Sequence, residues 1–199
     1  DDPADISLWI GATGPAPARC AIDLALHDRI GRRAGLPLWQ LLGLPPPAPL
    51  ATCFTIAIDE PDEMARQAQA ASAYETLKIK LGSEDDFARL QAVRAARPDA
   101  KLRVDANAGW DVDAAIALVR KLEPLDIALI EQPVRKDDIA GMGAVQRATG
   151  IPIVGDESCQ SLADVEALAA AGVRGINLKL MKAGGLTNGA AMARRAREL

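Results

Sequence analysis

The sequence predicts an α/β fold of consecutive strand–helix units around a parallel sheet, and three observations carry that prediction. From about residue 50 onward, short apolar strands alternate with Ala-rich helices at a repeat of about 25 residues. That alternation is the mark of successive βαβ units. No strand–helix junction carries the Gly-rich fingerprint of a dinucleotide-binding doubly wound sheet. Polar residues stand instead at the C-terminal ends of five successive strands, the rim where a β/α-barrel gathers its chemistry. A barrel is therefore favoured over a doubly wound sheet.

The elements follow in order. Between Pro17 and Ile30, apolar Ala21, Leu24, Ala25 and Ile30 recur near helical spacing, and LPLWQLLGL after Gly35 reads as a short second helix. Pro45-Pro46-Pro47 breaks the pattern, so a boundary is expected near residue 50, dividing the chain into 1–50 and 51–199. The expected strands are 51–58, 76–82, 101–107, 128–133, 151–156 and 175–181. Helical stretches fall between them, at 62–73, 84–96, 111–122, 141–150 and 162–172, and LTNGAAMARRAREL forms a last helix. Six strands are visible where a barrel needs eight. Open edges would be exposed otherwise, so the sequence reads as a segment of a longer protein.

Composition narrows the function classes. The chain has 199 residues and a net charge of −4, with no Lys/Arg run to follow a phosphate backbone, so nucleic acid is not an expected partner. No apolar stretch reaches the roughly 18 residues needed to span a bilayer, and the N-terminus lacks the features of a cleaved leader. Cys20, Cys53 and Cys159 follow no disulfide or metal spacing and read as buried small apolar residues in a reducing, cytoplasmic setting. His27, the one histidine, reads as structural.

Three acids stand out. Asp105 (RVDANAGW), Glu131 (LIEQP) and Asp156 (VGDES) each lie near a strand's C-terminal end, 26 and 25 residues apart. One βα unit separates each from the next, so three neighbouring strands present one carboxylate apiece, expected at the same height. Strand alternation places Arg103, Asp105 and Asn107 on one face. Three uncompensated carboxylates in a low-dielectric mouth would repel, and a hard divalent cation, Mg²⁺ or Mn²⁺, resolves this better than Zn²⁺.

The lysines complete the pattern. Lys78 and Lys80 leave the same face of the second strand, opposite Leu77, Ile79 and Leu81. A lysine at its reference pKa of about 10.4 is protonated at neutral pH, and bringing it near neutrality requires roughly 4 kcal/mol from its surroundings. Each of two adjacent ammonium groups is expected to depress the other. Lys179 is expected on the sixth strand, sharing a face with Asn177 and Met181. Strands two and six stand opposite each other in an eight-stranded barrel, so Lys80 and Lys179 would flank a metal-held substrate. That is the geometry of a two-base proton transfer at one carbon.

Read together, K-I-K, V-D-A-N, I-E-Q-P, G-D-E-S and N-L-K-L-M-K-A-G-G resemble the muconate-lactonising-enzyme subgroup of the enolase superfamily. Residues 18–43 also resemble the last helices of that family's α+β capping domain. The resemblance implies an enolase-type (β/α)7β TIM-like barrel, here strands one to six, with Mg²⁺ on Asp105, Glu131 and Asp156. It implies Lys80 and Lys179 as the acid–base pair and Lys78 as a stabiliser of the enediolate, chemistry already established for the superfamily. TIAID on strand one and KLMKAGG on strand six look most like dipeptide epimerases, isomerases that invert the α-carbon of a dipeptide's C-terminal residue. A small carboxylate, a dipeptide first, is the implied substrate, and self-association is left open.

Other members of the subgroup stay in view. An o-succinylbenzoate synthase, an N-acylamino acid racemase or a muconate cycloisomerase would use the same acids and lysines. From a different class, the chain could be a non-catalytic barrel that merely binds a metal–carboxylate complex, or an inactive truncated product; the intact Lys80 and Lys179 argue against both. In dipeptide epimerases the last strand carries the acidic motif that holds the substrate ammonium, and no counterpart is found in this sequence.

Overall fold

The computed structural model describes Ile10 and residues 13–199; the rest of the N-terminal stretch read for a leader lies outside the described residues. In chain order the elements are α1 (Ala16–Ala34), α2 (Leu38–Leu41), β1 (Phe54–Ile56), α3 (Pro61–Ala70), β2 (Thr76–Lys80), α4 (Asp86–Ala96) and β3 (Lys101–Asp105). There follow α5 (Val112–Leu122), β4 (Ile127–Glu131), α6 (Ile139–Arg147), β5 (Ile153–Gly155), α7 (Leu162–Ala170), β6 (Gly175–Ile176), α8 (Leu180–Ala183) and α9 (Leu186–Glu198). Among the described residues no helix is long and apolar enough to cross a membrane.

Two compact units are formed. One holds the residues up to Leu50 with Gln160–Ala163 and Leu178–Leu199; the other holds Ala51–Cys159 and Asp164–Asn177, and with them the whole sheet. In the first unit, Asp23 of α1 is buried and its carboxylate accepts from the Leu186 amide (2.6 Å) and the Thr187 hydroxyl (2.9 Å), so it caps the start of α9. His27 lies one turn further along α1, buried, with Nδ1 2.9 Å from the Asp23 carbonyl.

In the second unit all six strands run parallel in the order β1-β2-β3-β4-β5-β6. A doubly wound sheet reverses its strand order at a switch point. Here the order never reverses, so the β/α-barrel architecture holds and its alternative falls. Leu77, Ile79, Leu81, Leu102, Val104 and Ile130 are buried, as are Met64, Leu90, Val93, Val119, Met142 and Leu168 of the following helices. This apolar layer between sheet and helices holds the strands in place and leaves the alternate residues, Lys78, Lys80 and Arg103, on the opposite face, half-buried.

Local chemistry starts the helices within two residues of where the sequence placed them. Asp111 caps α5 by accepting from the Ala114 amide (2.8 Å), and Asp138 caps α6 through the Gly141 amide (2.7 Å). Pro61 opens α3 at a position where its missing N–H costs nothing.

Three expectations need correction. The sixth strand was expected over 175–181, but pairing ends when the Asn177 amide donates to the Gly155 carbonyl (2.8 Å). Beyond it the Lys179 carbonyl accepts helical bonds from the Lys182 and Ala183 amides, so Met181 lies in α8 rather than beside Asn177 and Lys179 on a strand. Asp105 and Glu131 are direct partners across the sheet, but Glu131 pairs with Val154, so Asp156 lies two residues past that level. Finally, Cys20 and Cys159 are buried but Cys53, in the segment before β1, is only half-buried.

Candidate active site

Asp105 and Glu131 are the last residues of β3 and β4, and Asp156 follows the last residue of β5. All three are buried, and each offers a carboxylate oxygen within 4.8 Å of the others. The converging acids read from the sequence are thus brought together. Their chemistry fits a hard divalent cation: oxygen donors only, all anionic, at the mouth of a parallel sheet.

Two lysine side chains lie on these acids. Lys78 Nζ is 2.9 Å from Asp105 Oδ2 and 2.8 Å from Glu131 Oε2, and Lys80 Nζ is 2.7 Å from the same Asp105 oxygen. The Lys80 side chain is the more open, 30% exposed against 19% for Lys78, and it also donates to Asn107 Oδ1 (2.8 Å). Lys80 therefore stands nearer the rim, and Lys78 is braced between two carboxylates beneath it.

The protonation balance differs from residue to residue. Burial draws the Lys78 ammonium downward, but hydrogen bonds to Asp105 and Glu131 and the charges of both outweigh it, and its pKa lies above the ordinary lysine value. In the metal-free site the two carboxylates therefore set the direction of the Lys78 shift. Burial pushes Asp105 up, yet the hydrogen bonds from Lys78 and Lys80 prevail and hold it below the usual range. Glu131 goes the other way. Its burial, a carboxyl–carboxyl hydrogen bond with Asp156 and the nearby Asp105 charge outweigh the bonds from Lys78 and Asn177, and its pKa is raised.

Three polar residues beside the acids escaped the list drawn from the sequence. Asn177 donates to Glu131 Oε1 at 2.6 Å, Asn107 bridges toward Lys80, and Gln132 lies fully buried between the second and third acids. The signal was present, since each stands within two residues of a strand's C-terminal end. Asn107, Ala108 and Gln132 also adopt left-handed φ of 46°, 60° and 41°. Such backbone strain in non-glycine residues gathers at functional sites.

The loop that follows Lys80 and the loop that carries Asn107 are locked to each other. The buried Asp86 carboxylate accepts from Trp110 Nε1 (2.8 Å) and the Gly82 amide (2.9 Å). A Cβ on Gly109 would lie 2.6 Å from Gly82 Cα, so only glycine permits this approach. Lys179, extended at φ −117° and ψ 120°, forms the N-cap of α8 in the first unit.

Comparison with known proteins adds the family. Residues 62–199 match the enolase C-terminal domain-like family, and residues 8–43 match the N-terminal domain of mandelate racemase / muconate lactonizing enzyme. The L-Ala-D/L-Glu epimerase of Bacillus subtilis is 42% identical over 184 residues, 88% of this chain and 50% of that protein. Among solved structures, the dipeptide epimerase of Enterococcus faecalis complexed with Mg and L-Leu-L-Tyr has a TM-score of 0.91 at 37% identity, covering 99% of this chain and 58% of that one. The N-succinyl Arg/Lys racemase of Bacillus cereus has a TM-score of 0.93 at 30% identity, covering 100% and 57%. This chain spans about half the length of the curated relatives it matches. By the family match over most of its length, by its strand order and by its acids at successive strand ends, the chain belongs to the enolase C-terminal domain-like family of the enolase superfamily.

Proposed function

We propose that this chain supplies the metal site and acid–base residues of a dipeptide epimerase, an isomerase that removes and returns the proton on the carbon next to a substrate carboxylate. The observation that carries the proposal is the cluster of three buried carboxylates with Lys78 and Lys80 bonded to it. Asp105, Glu131 and Asp156 are assigned Mg²⁺, with Mn²⁺ as its substitute. When bound, the cation offsets their charge and stabilises the negative charge that develops on the substrate carboxylate.

The residues of the chain divide the remaining work. Lys78, held between Asp105 and Glu131, is assigned a positive charge beside the reacting carboxylate. Lys80, nearer the rim, is assigned the proton on one face of the α-carbon. The C–H bond breaks, its proton passes to the neutral Lys80 amine, which becomes an ammonium, and the electron pair spreads onto the carboxylate oxygens. Lys179 is assigned the opposite face, where it returns a proton to the same carbon; this rests on the sequence pattern of strands two and six. General acid–base groups of this kind contribute about 10²–10⁴-fold.

Residues 51–199 are proposed as strands one to six of the barrel and residues 1–50 as the end of the capping domain. The dipeptide substrate is supported by the relatives, among them the E. faecalis enzyme holding L-Leu-L-Tyr. A second reading, an N-succinyl amino acid racemase, is favoured by the B. cereus structure and would employ the same residues.

Deuterium uptake at the α-carbon in D₂O, followed by mass spectrometry on L,L-dipeptides and N-succinyl amino acids with and without Mg²⁺, tests both. Metal-dependent uptake by dipeptides supports the first reading. Uptake by succinylated amino acids alone overturns it in favour of the second. Lys80→Ala should keep exchange with one epimer and Lys179→Ala with the other; loss of the same epimer in both refutes the two-base assignment.

A further inference from the structure

We infer that Gln132 is a positioning residue for Asp156, holding the third carboxylate where the strand ladder can no longer reach it; this rests on the metal site proposed above. In a parallel pair, one residue donates its amide to the neighbouring strand and accepts from that strand two residues further on. The Gln132 amide makes the first of these bonds, donating to the Val154 carbonyl at 2.8 Å. The second would bring the Asp156 amide to the Gln132 main-chain carbonyl. It does not form. With φ of 41°, Gln132 turns that carbonyl to the loop after β3, where it accepts from the Ala108 amide (2.8 Å).

The side chain takes the vacated place. Gln132 Oε1 accepts from the Asp156 amide at 2.9 Å and from the Ser158 amide at 3.0 Å. Its Nε2 donates to the Val134 carbonyl and to Ser158 Oγ, both at 2.8 Å. Two donors and two acceptor positions are all a carboxamide has, and every one is used by a group that is 0% exposed. Ser158 Oγ passes the restraint on, donating to the Lys136 carbonyl (2.8 Å). The Asp156 backbone is thus fixed by a side chain from the strand that carries Glu131. A carboxylate there would lack the donors, and an apolar residue would leave the Asp156 amide buried without its acceptor.

Mn²⁺ binding to the full chain, read by calorimetry and by the electron paramagnetic resonance of the bound ion, tests this. Gln132→Met keeps the bulk and removes the carboxamide; it should weaken Mn²⁺ binding about 10–100-fold, as loss of an outer-shell partner does, and broaden the spectrum of the bound ion. Met64→Ala, a core truncation on α3, should lose stability yet bind Mn²⁺ as the wild type does. If folded Gln132→Met binds Mn²⁺ like the wild type, or if Met64→Ala weakens binding equally, the inference is overturned. If the wild type binds no Mn²⁺, the metal site itself is refuted and the inference falls with it. Should Gln132→Met fail to fold, amide exchange in the wild type decides: the Asp156 and Ser158 amides should exchange as slowly as those inside β4, and fast exchange overturns the assignment.

Discussion

Asp105→Asn and Glu131→Gln, two isosteric changes one strand apart, should move the stability of the metal-free chain in opposite directions. Asp105 Oδ2 is ion-paired with Lys78 at 2.9 Å and accepts from Lys80 at 2.7 Å. A hydrogen bond to a charged group contributes about 1.5–3 kcal/mol, and a neutral acceptor keeps about half of that. Losing the charge at both contacts therefore costs about 2 kcal/mol, or a Tm lower by about 4–8 °C for a chain of this size. Glu131 is the reverse case. Its raised pKa means that the charged form is the disfavoured one, so the neutral amide should leave the Tm equal or higher at pH 7.

The pH dependence separates the two further. Because the Asp105 pKa is lowered on folding, its contribution is complete above the unfolded value of about 3.9 and is lost as the pH falls through the folded value. The gap between wild type and Asp105→Asn should therefore close in acid. For Glu131 the stability is complete below the unfolded value of about 4.3 and is lost as the pH rises through the raised folded value, so wild type gains on Glu131→Gln only at low pH. Scanning calorimetry in EDTA at stepped pH reads both. Equal losses in the two variants, or an unchanged Asp105→Asn, would refute the charge balance derived for the site.

Further outcomes follow from the same contacts. Lys78→Met should be destabilised by a constant amount through neutral pH, and urea titrations should see the gap narrow only in alkali, above the unfolded lysine value of about 10.4 and through the raised folded one. Trp110→Phe removes one of the hydrogen bonds held by buried Asp86 and should cost about 2 kcal/mol, read as a lower urea midpoint at unchanged slope. Gly109→Ala sets a methyl group against the backbone of Gly82 and Ala106 and should cost about 3 kcal/mol or more, measured by the same titration.

Much of this protein was legible in the order of its residues. The period of two in TLKIK separates lysines from apolar side chains whatever the sheet does next, and the recurrence of an acid once per βα unit fixes that neighbouring strands end in carboxylates. Those are local facts, carried by backbone geometry. The tertiary structure decided what depends on neighbours. A strand's length is set by its partner, so β6 stops where Gly155 offers its last bond, however apolar LKLM reads. The level of Asp156 depends on register, which the spacing of acids along the chain does not contain. The direction of the Lys78 shift required knowing that two carboxylates lie within 2.9 Å of its Nζ. The part played by Gln132 was hidden for the same reason: its carboxamide has meaning only beside the amide of Asp156, 24 residues away in sequence and 2.9 Å away in space.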